Sequence, residues 1–187
     1  MLGHVSRFAV AVWWRARRLV AMATARRRSV ARLQDGRIRR VLVVCHGNIY
    51  RSAFVGRYLM QHLPEALSVR SAGFHPVAGR PAPERHVLHS RRHGVDLSGH
   101  RSAVIDPADV KWADTIVLMD SRNWQALMSL GVPRNRLIWL GTLDGGEVEI
   151  PDPDTLSDDA LAVVVDRLQV CAKLLAMRVS EDRHNET

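Results

Sequence analysis

Val41-Leu42-Val43-Val44-Cys45-His46-Gly47-Asn48-Ile49-Tyr50-Arg51-Ser52 runs from consecutive apolar residues into a loop that opens on a cysteine and reaches an arginine six residues later. Ala53-Phe54-Val55-Gly56-Arg57-Tyr58-Leu59-Met60 follows, with apolar residues at helical spacing. The reading is a buried strand, a tight loop and a helix.

The same alternation continues outward. Strands are predicted at 41–45, 67–70, 115–119 and 136–140, and helices at 52–62, 84–93, 121–130 and 157–179. Ser121 and Ser157 stand at helix starts as N-cap candidates. Leu161, Val164, Val165, Leu168, Ala172 and Leu175 form a core-facing stripe on the last helix. Strands alternating with helices imply an α/β fold of three layers, α/β/α, around a central four-stranded parallel sheet. Ligands in such sheets bind at the carboxyl ends of strands, where Cys45 is predicted to lie.

A loop that closes onto a helix start presents backbone N–H groups with no partner inside the helix, and the helix dipole favours an anion there. Gly47 permits positive φ and close backbone approach. Asn48 is among the residues most tolerant of a left-handed conformation. Arg51 supplies a planar fork for two phosphate oxygens. The same field stabilises a thiolate at Cys45, a nucleophile able to form a phosphocysteine. Ser52 is placed to donate to the sulfur. His46 either tunes the thiolate or is an exposed side chain. Arginine makes up 25 of 187 residues, so Cys and Arg at this spacing mean little alone. The weight comes from the strand before them, Gly-Asn between them, and Ser and a helix after them.

The string Cys45–Ser52 resembles the phosphate-binding loop of the low-molecular-weight protein tyrosine phosphatase family, bacterial type. Three later stretches resemble that family in the same order: Ser71-Ala72-Gly73, Thr115-Ile116-Val117-Leu118-Met119-Asp120 with Asn123 beyond, and Pro151-Asp152-Pro153. The resemblance spans about residues 39 to 180 and implies a phosphatase-type loop after the first strand. It implies Cys45 as nucleophile, Arg51 as phosphate ligand and Asp152 as general acid and then base. The substrate phosphate would lie against His46, Gly47, Asn48, Ile49, Tyr50, Arg51 and Ser52. Neither metal nor cofactor is implied. The substrate would be a phosphotyrosine protein or aryl phosphate, in opposition to a bacterial tyrosine kinase in polysaccharide production. Asp154 is the competing acid. A thioredoxin-coupled arsenate reductase and a non-catalytic phosphate-recognising module are the alternative readings.

The chain departs from the family at several positions. Tyr50 stands where many members carry a second cysteine, and Cys171 lies far along the chain, so an oxidised Cys45 lacks a neighbouring thiol. Aromatic walls expected after Ser-Ala-Gly and after Asp-Pro are missing or altered: the chain reads Phe74-His75-Pro76-Val77 and Asp154-Thr155. Phe74 and Tyr50 are the candidate replacements. His100 is read as a structural residue behind the phosphate loop.

Two cysteines exclude a disulfide scaffold and fit a reducing, cytoplasmic compartment. Charge divides the chain. Residues 1–40 hold 11 Arg and one acid, Asp35, a net +10; residues 41–187 hold 16 basic and 18 acidic side chains, a net −2. The domain reading is a basic amphipathic arm, 1–38, and a phosphatase-like catalytic domain, 39–187, divided near Gln34-Asp35-Gly36. Val5, Ala9, Val12, Trp13, Ala16, Leu19, Val20 and Ala23 share one helical face of the arm. Arg7, Arg15, Arg17, Arg18, Arg26 and Arg28 lie on the other, while Phe8, Val10, Trp14 and Met22 break the pattern. Such a helix suits an anionic membrane surface through residues 1–30, at the inner face of the membrane. Packing on the domain or a partner, disorder, and a misplaced start codon remain open. No motif for reading nucleic acid is present, and the oligomeric state is open. Deleting residues 1–36 is expected to leave small-substrate hydrolysis nearly unchanged and to abolish binding to anionic vesicles.

Overall fold

The computed structural model describes residues 7–181, and side chains from residue 12 onward. Its elements are α1 Arg7–Gln34, β1 Arg40–Cys45, α2 Arg51–His62, β2 Ser68–Gly73, α3 Glu84–Arg91, α4 Pro107–Trp112, β3 Thr115–Leu118, α5 Ser121–Ser129, β4 Leu137–Trp139 and α6 Asp158–Glu181. The strands form one parallel sheet in the order β2-β1-β3-β4. Residues 41–45 and 115–119 are buried throughout, as expected for strands covered on both faces.

Alternation along the strands sorts the core. Val41, Val43, Cys45, Val117 and Ile138 share one cluster with α2 and α6 residues such as Phe54, Leu59, Leu161, Val165 and Leu168. Leu42, Val44, Ile116, Leu118, Leu137 and Trp139 share the other with Ala21 and Ala25 of α1 and Trp124 and Leu127 of α5. The layers are therefore helix, sheet, helix. After β1 the chain turns to β2 on one side, and β3 lies on the other. The carboxyl ends of β1 and β3 thus form the crevice where the strand order reverses.

Two details differ from the sequence expectation. The short helix α4 was not foreseen. Its signal was Asp106-Pro107-Ala108-Asp109, a capping box in which the Asp106 side chain accepts from Asp109 N–H, with Pro at the first turn. At α5 the N-cap is Asp120, which accepts from Asn123 N–H, so Ser121 is already inside the helix. Ser157 does accept from Ala160 N–H at 3.3 Å at the start of α6.

The arm is the larger surprise. α1 lies along β4, and Ser29 Oγ accepts from Trp139 N–H at 3.0 Å. Ala21, Ala25 and Ser29 are buried, and Trp14, one of the pattern breakers, meets Trp124 edge-on with ring centroids 6.1 Å apart. The apolar face read from the sequence points outward instead: Val12, Trp13, Ala16, Leu19, Val20 and Ala23 are all exposed, Leu19 at 69%. Ala21, Ala25 and Ser29 are small where the helix meets the sheet, and Trp14 and Met22 pack beside them; a reading that follows the longer stripe of Val, Trp and Leu side chains selects the opposite face. Val5 lies outside the described residues, as does the Ala9 side chain. Because α1 covers Leu137, Trp139 and Trp124, removing residues 1–36 would open part of the core. That is a loss of several kcal/mol on the scale of large core truncations, and the expectation of a dispensable arm is withdrawn.

Candidate active site

Cys45 ends β1 and the loop that follows folds back over it. Asn48 N–H and Ser52 O–H both donate to Cys45 Sγ, at 3.2 and 3.0 Å. The first intrahelical bond of α2 runs from Phe54 N–H to the Tyr50 carbonyl. N–H groups ahead of it belong to the open helix end, and the N-cap Tyr50 makes no side-chain cap that would occupy it.

Asn48 shapes the loop. It has φ of 51°, whereas Gly47, expected to take the positive φ, does not. Besides its N–H bond to Cys45 Sγ, four hydrogen bonds hold Asn48 there. Its Nδ2 donates to Ser52 Oγ at 2.9 Å and to Ser71 Oγ at 3.0 Å. Its Oδ1 accepts from Ala103 N–H at 2.8 Å, and its carbonyl accepts from His100 Nε2 at 2.6 Å. His100 therefore supports the phosphate loop from behind, as expected. Burial lowers its pKa, which suits the neutral ring that donates from Nε2. Gly47 serves close approach: a Cβ there would meet Arg80 Nη2 at 3.2 Å, the group that donates to the Gly47 carbonyl at 2.6 Å. Gly73 is needed for the same reason, since a Cβ there would meet the His46 carbonyl at 2.7 Å and Asn48 N at 2.8 Å.

Arg51 is fully buried. Its Nη1 donates to Asp120 Oδ2 at 2.6 Å and to the Ile150 carbonyl at 3.0 Å, and its Nη2 donates to Asp152 Oδ2 at 2.5 Å. Burial works against the cation, but Cys45, Asp152 and Asp120 outweigh it and raise the Arg51 pKa above the usual arginine value. Asp120 caps α5 with one oxygen and orients Arg51 with the other. The sequence had shown it only as the end of a strand string. The signal was an Asp one residue past an apolar strand and three before Asn123, at a helix start.

A cleft of about 310 Å³ opens over this centre, lined by Cys45, His46, Ile49, Tyr50, Asp152 and Asp154 together with His75 and Arg80. Asp152 reaches Arg51, while Asp154 stands at the rim. His46 is exposed, with its ring 5.8 Å from that of His75. Tyr50 lines the cleft, but Phe74 does not: it packs against the second core cluster. The wall beyond Ser-Ala-Gly is therefore built from His75 and Arg80, which sequence reading did not single out. A larger cavity, about 520 Å³, lies behind the loop and touches neither Cys45 nor Asp152.

His86 is buried beside the loop. Its Nε2 donates to the Tyr50 carbonyl at 3.1 Å, and burial lowers its pKa to about 4. The folded value lies below the unfolded 6.5, so the unfolded chain takes up the proton first. The stability this residue contributes is complete above pH 6.5 and is lost as pH falls toward 4, by about 3 kcal/mol. Urea unfolding followed across that range is expected to show the loss. His86→Gln keeps a donor without titrating and is expected to flatten it. An unchanged slope in His86→Gln would assign the loss to other groups.

A thiol at a strand end, held over a helix start with a buried guanidinium and a carboxylate, defines a cysteine-dependent phosphomonoesterase. The family model described as low molecular weight phosphotyrosine protein phosphatase matches residues 40–185. The chain belongs to that family. It is 31% identical over 144 residues to the low molecular weight protein-tyrosine-phosphatase Wzb of Escherichia coli K12, covering 76% of this chain and 97% of Wzb. It is 32% identical over 142 residues to the phosphatase Etp of the same strain, covering 75% of this chain and 94% of Etp. Among solved structures, Vibrio vulnificus Wzb in complex with benzylphosphonate superposes with a TM-score of 0.69 at 28% identity, over 75% of this chain and 98% of that one. The chain is a phosphatase, and α1 lies ahead of the residues matched by the family model.

Proposed function

We propose that the chain hydrolyses phosphotyrosine in proteins by a two-step mechanism on the cleft residues. The observation that carries this is that Cys45 and Asp152 line one cleft while the buried Arg51 beneath it donates to Asp152. Cys45 attacks phosphorus, and the P–O bond to the leaving oxygen breaks as the P–S bond forms. Arg51 and the N–H groups of loop residues 46–52 hold the phosphoryl oxygens. The incoming phosphate takes over the Arg51 fork, which releases the Asp152 carboxyl to protonate the leaving oxygen. Ser52 O–H stabilises the departing thiolate. Asp152 then removes a proton from the water that attacks the phosphocysteine, and inorganic phosphate leaves. The depth of Asp152 against the rim position of Asp154 supports this assignment.

Phosphotyrosine as substrate is supported by the relatives' names and by the benzylphosphonate held by Vibrio vulnificus Wzb. Phosphate release from phosphotyrosine and phosphoserine peptides tests it. Strong preference for phosphotyrosine is expected; equal rates on the two would overturn it. Opposition to a tyrosine kinase in polysaccharide production extends the family reading. Relay of a disulfide, as arsenate reduction requires, is disfavoured because Cys171 is buried on α6, where burial, together with the neighbouring Asp144, pushes its pKa up to about 12.

Among the described residues no helix is long and apolar enough to cross a membrane. The outward stripe of α1, with Arg15 and Arg26 on one flank and Arg17 and Arg28 on the other, suits a position in the plane of an anionic bilayer. We assign the chain to the cytoplasm, lying on the inner face of the membrane. Because α1 is part of the core, the test keeps the helix and changes its surface. Wild type is expected to bind phosphatidylglycerol vesicles at low salt, and Trp13→Ser/Leu19→Ser/Val20→Ser to lose that binding. No binding by wild type removes the reading.

A further inference from the structure

The segment that carries Asp152 has little regular structure of its own. After β4 the chain makes a turn of 3-10 helix at Leu140–Thr142 and then runs through Asp144-Gly145-Gly146-Glu147-Val148-Glu149 to Ile150. Ile150 is pinned to the sheet, its N–H donating to the Met119 carbonyl at 2.8 Å. Two residues later comes Asp152. The position of the acid therefore depends on what holds the loop before it.

Helices grip that loop from two sides. From α6, Arg167 Nε donates to Asp144 Oδ2 at 2.8 Å, Nη1 to the Glu149 carbonyl at 2.9 Å, and Nη2 to the carbonyls of Gly141 and Glu147 at 3.0 and 2.5 Å. From α1, Arg26 Nη2 donates to the carbonyls of Gly145 and Gly146 at 2.8 and 3.2 Å. One helical stretch earlier, Arg18 pairs with Glu149 Oε2 at 3.5 Å, while Glu149 Oε1 accepts from Ser121 N–H at 2.8 Å at the start of α5. That end of α5 is capped by Asp120, the carboxylate that orients Arg51. Arg18 thus reaches the catalytic arginine through Glu149 and the head of α5, and Arg26 holds the paired glycines that are the most permissive part of the loop.

We propose that α1, through Arg18 and Arg26, is a positioning element of the acid loop, so that a helix outside the residues matched by the family model takes part in protonation of the leaving group. The proposal rests on Asp152 as the acid. Neither arginine touches the reacting atoms. Their effect is geometric: a carboxyl displaced by a fraction of an ångström transfers its proton less efficiently, and displacements of 1 Å can cost ~10²-fold.

Leaving-group dependence tests this in the full-length protein. A misplaced acid penalises the poor leaving group of phenyl phosphate more than the good one of p-nitrophenyl phosphate, whereas a weakened fold penalises both alike. The readout is the ratio of kcat/KM on the two substrates, which reports the cysteine-attack step. In Arg18→Ala/Arg26→Ala the ratio of phenyl to p-nitrophenyl turnover is expected to fall about five-fold, the scale of a pair of exposed charged contacts. Arg26→Lys, which keeps a donor for the Gly145 carbonyl, is expected to retain most of the wild-type ratio. An unchanged ratio in the double variant, whatever happens to the individual rates, would overturn the proposal. Asp152→Asn run alongside separates the two ways of failing. If Asp152→Asn biases the ratio and the double variant does not, the positioning role of α1 falls alone. If Asp152→Asn leaves the ratio unchanged, the acid assignment falls and the proposal with it.

Discussion

Cys45→Ser is expected to abolish turnover of p-nitrophenyl phosphate and of phosphotyrosine peptide, by a factor on the order of 10⁵–10⁶, the scale seen when a covalent nucleophile is removed. The chemical reason is that a serine hydroxyl in this setting does not ionise as a thiol does, while Asn48 N–H and Ser52 O–H, which donate to the sulfur, are arranged to receive negative charge. Arg51 and the loop backbone are untouched by the substitution. The variant is therefore expected to bind inorganic phosphate with an affinity close to wild type, measured by calorimetry. Loss of turnover with phosphate still bound separates the nucleophile from the binding site. Turnover that survives Cys45→Ser would remove the phosphocysteine from the mechanism.

Asp152→Asn carries the second large effect. The Asn carbonyl oxygen still accepts from Arg51 Nη2, so the side chain keeps its place while losing the exchangeable proton. A drop of ~10²–10³ in kcat/KM is expected with phenyl phosphate, within the range typical of general acids, and a smaller one with p-nitrophenyl phosphate. Asp154→Asn is expected to stay near wild type, because Asp154 sits at the rim and has no contact with Arg51. The reverse order of the two variants would transfer the acid role to Asp154. Steady-state rates on both substrates decide between them.

The central part of this fold was legible because its signals are local. Residues 41–52 read as strand, loop and helix, and the structure places β1 and α2 within a residue of that reading. The parallel sheet followed from alternation alone. What the sequence concealed involves partners distant along the chain. Asn48 carried a plausible label, yet its hold on the loop depends on Ser71, His100 and Ala103, which only the folded sheet brings together. Asp120 looked like the end of a strand because its second duty, to Arg51, spans 69 residues. Arg80 and His75 were invisible as cleft walls because nothing in their neighbourhood points toward the phosphate loop. The arm was misread for a simpler reason: periodicity reveals that a helix has two faces but not which of them meets the protein.

The seat of α1 on β4 also bears on how copies of the chain can meet. A parallel sheet ends at its outermost strands, and an uncovered edge is a template onto which another strand can add. On the β4 side α1 lies against the strand, and the Trp139 N–H is satisfied by the Ser29 hydroxyl. Growth of the sheet by addition of a foreign strand is blocked on that flank. The apolar surface that the chain does expose there belongs to a helix whose amides bond within it. It can be offered to another surface without also offering backbone groups for cross-strand aggregation.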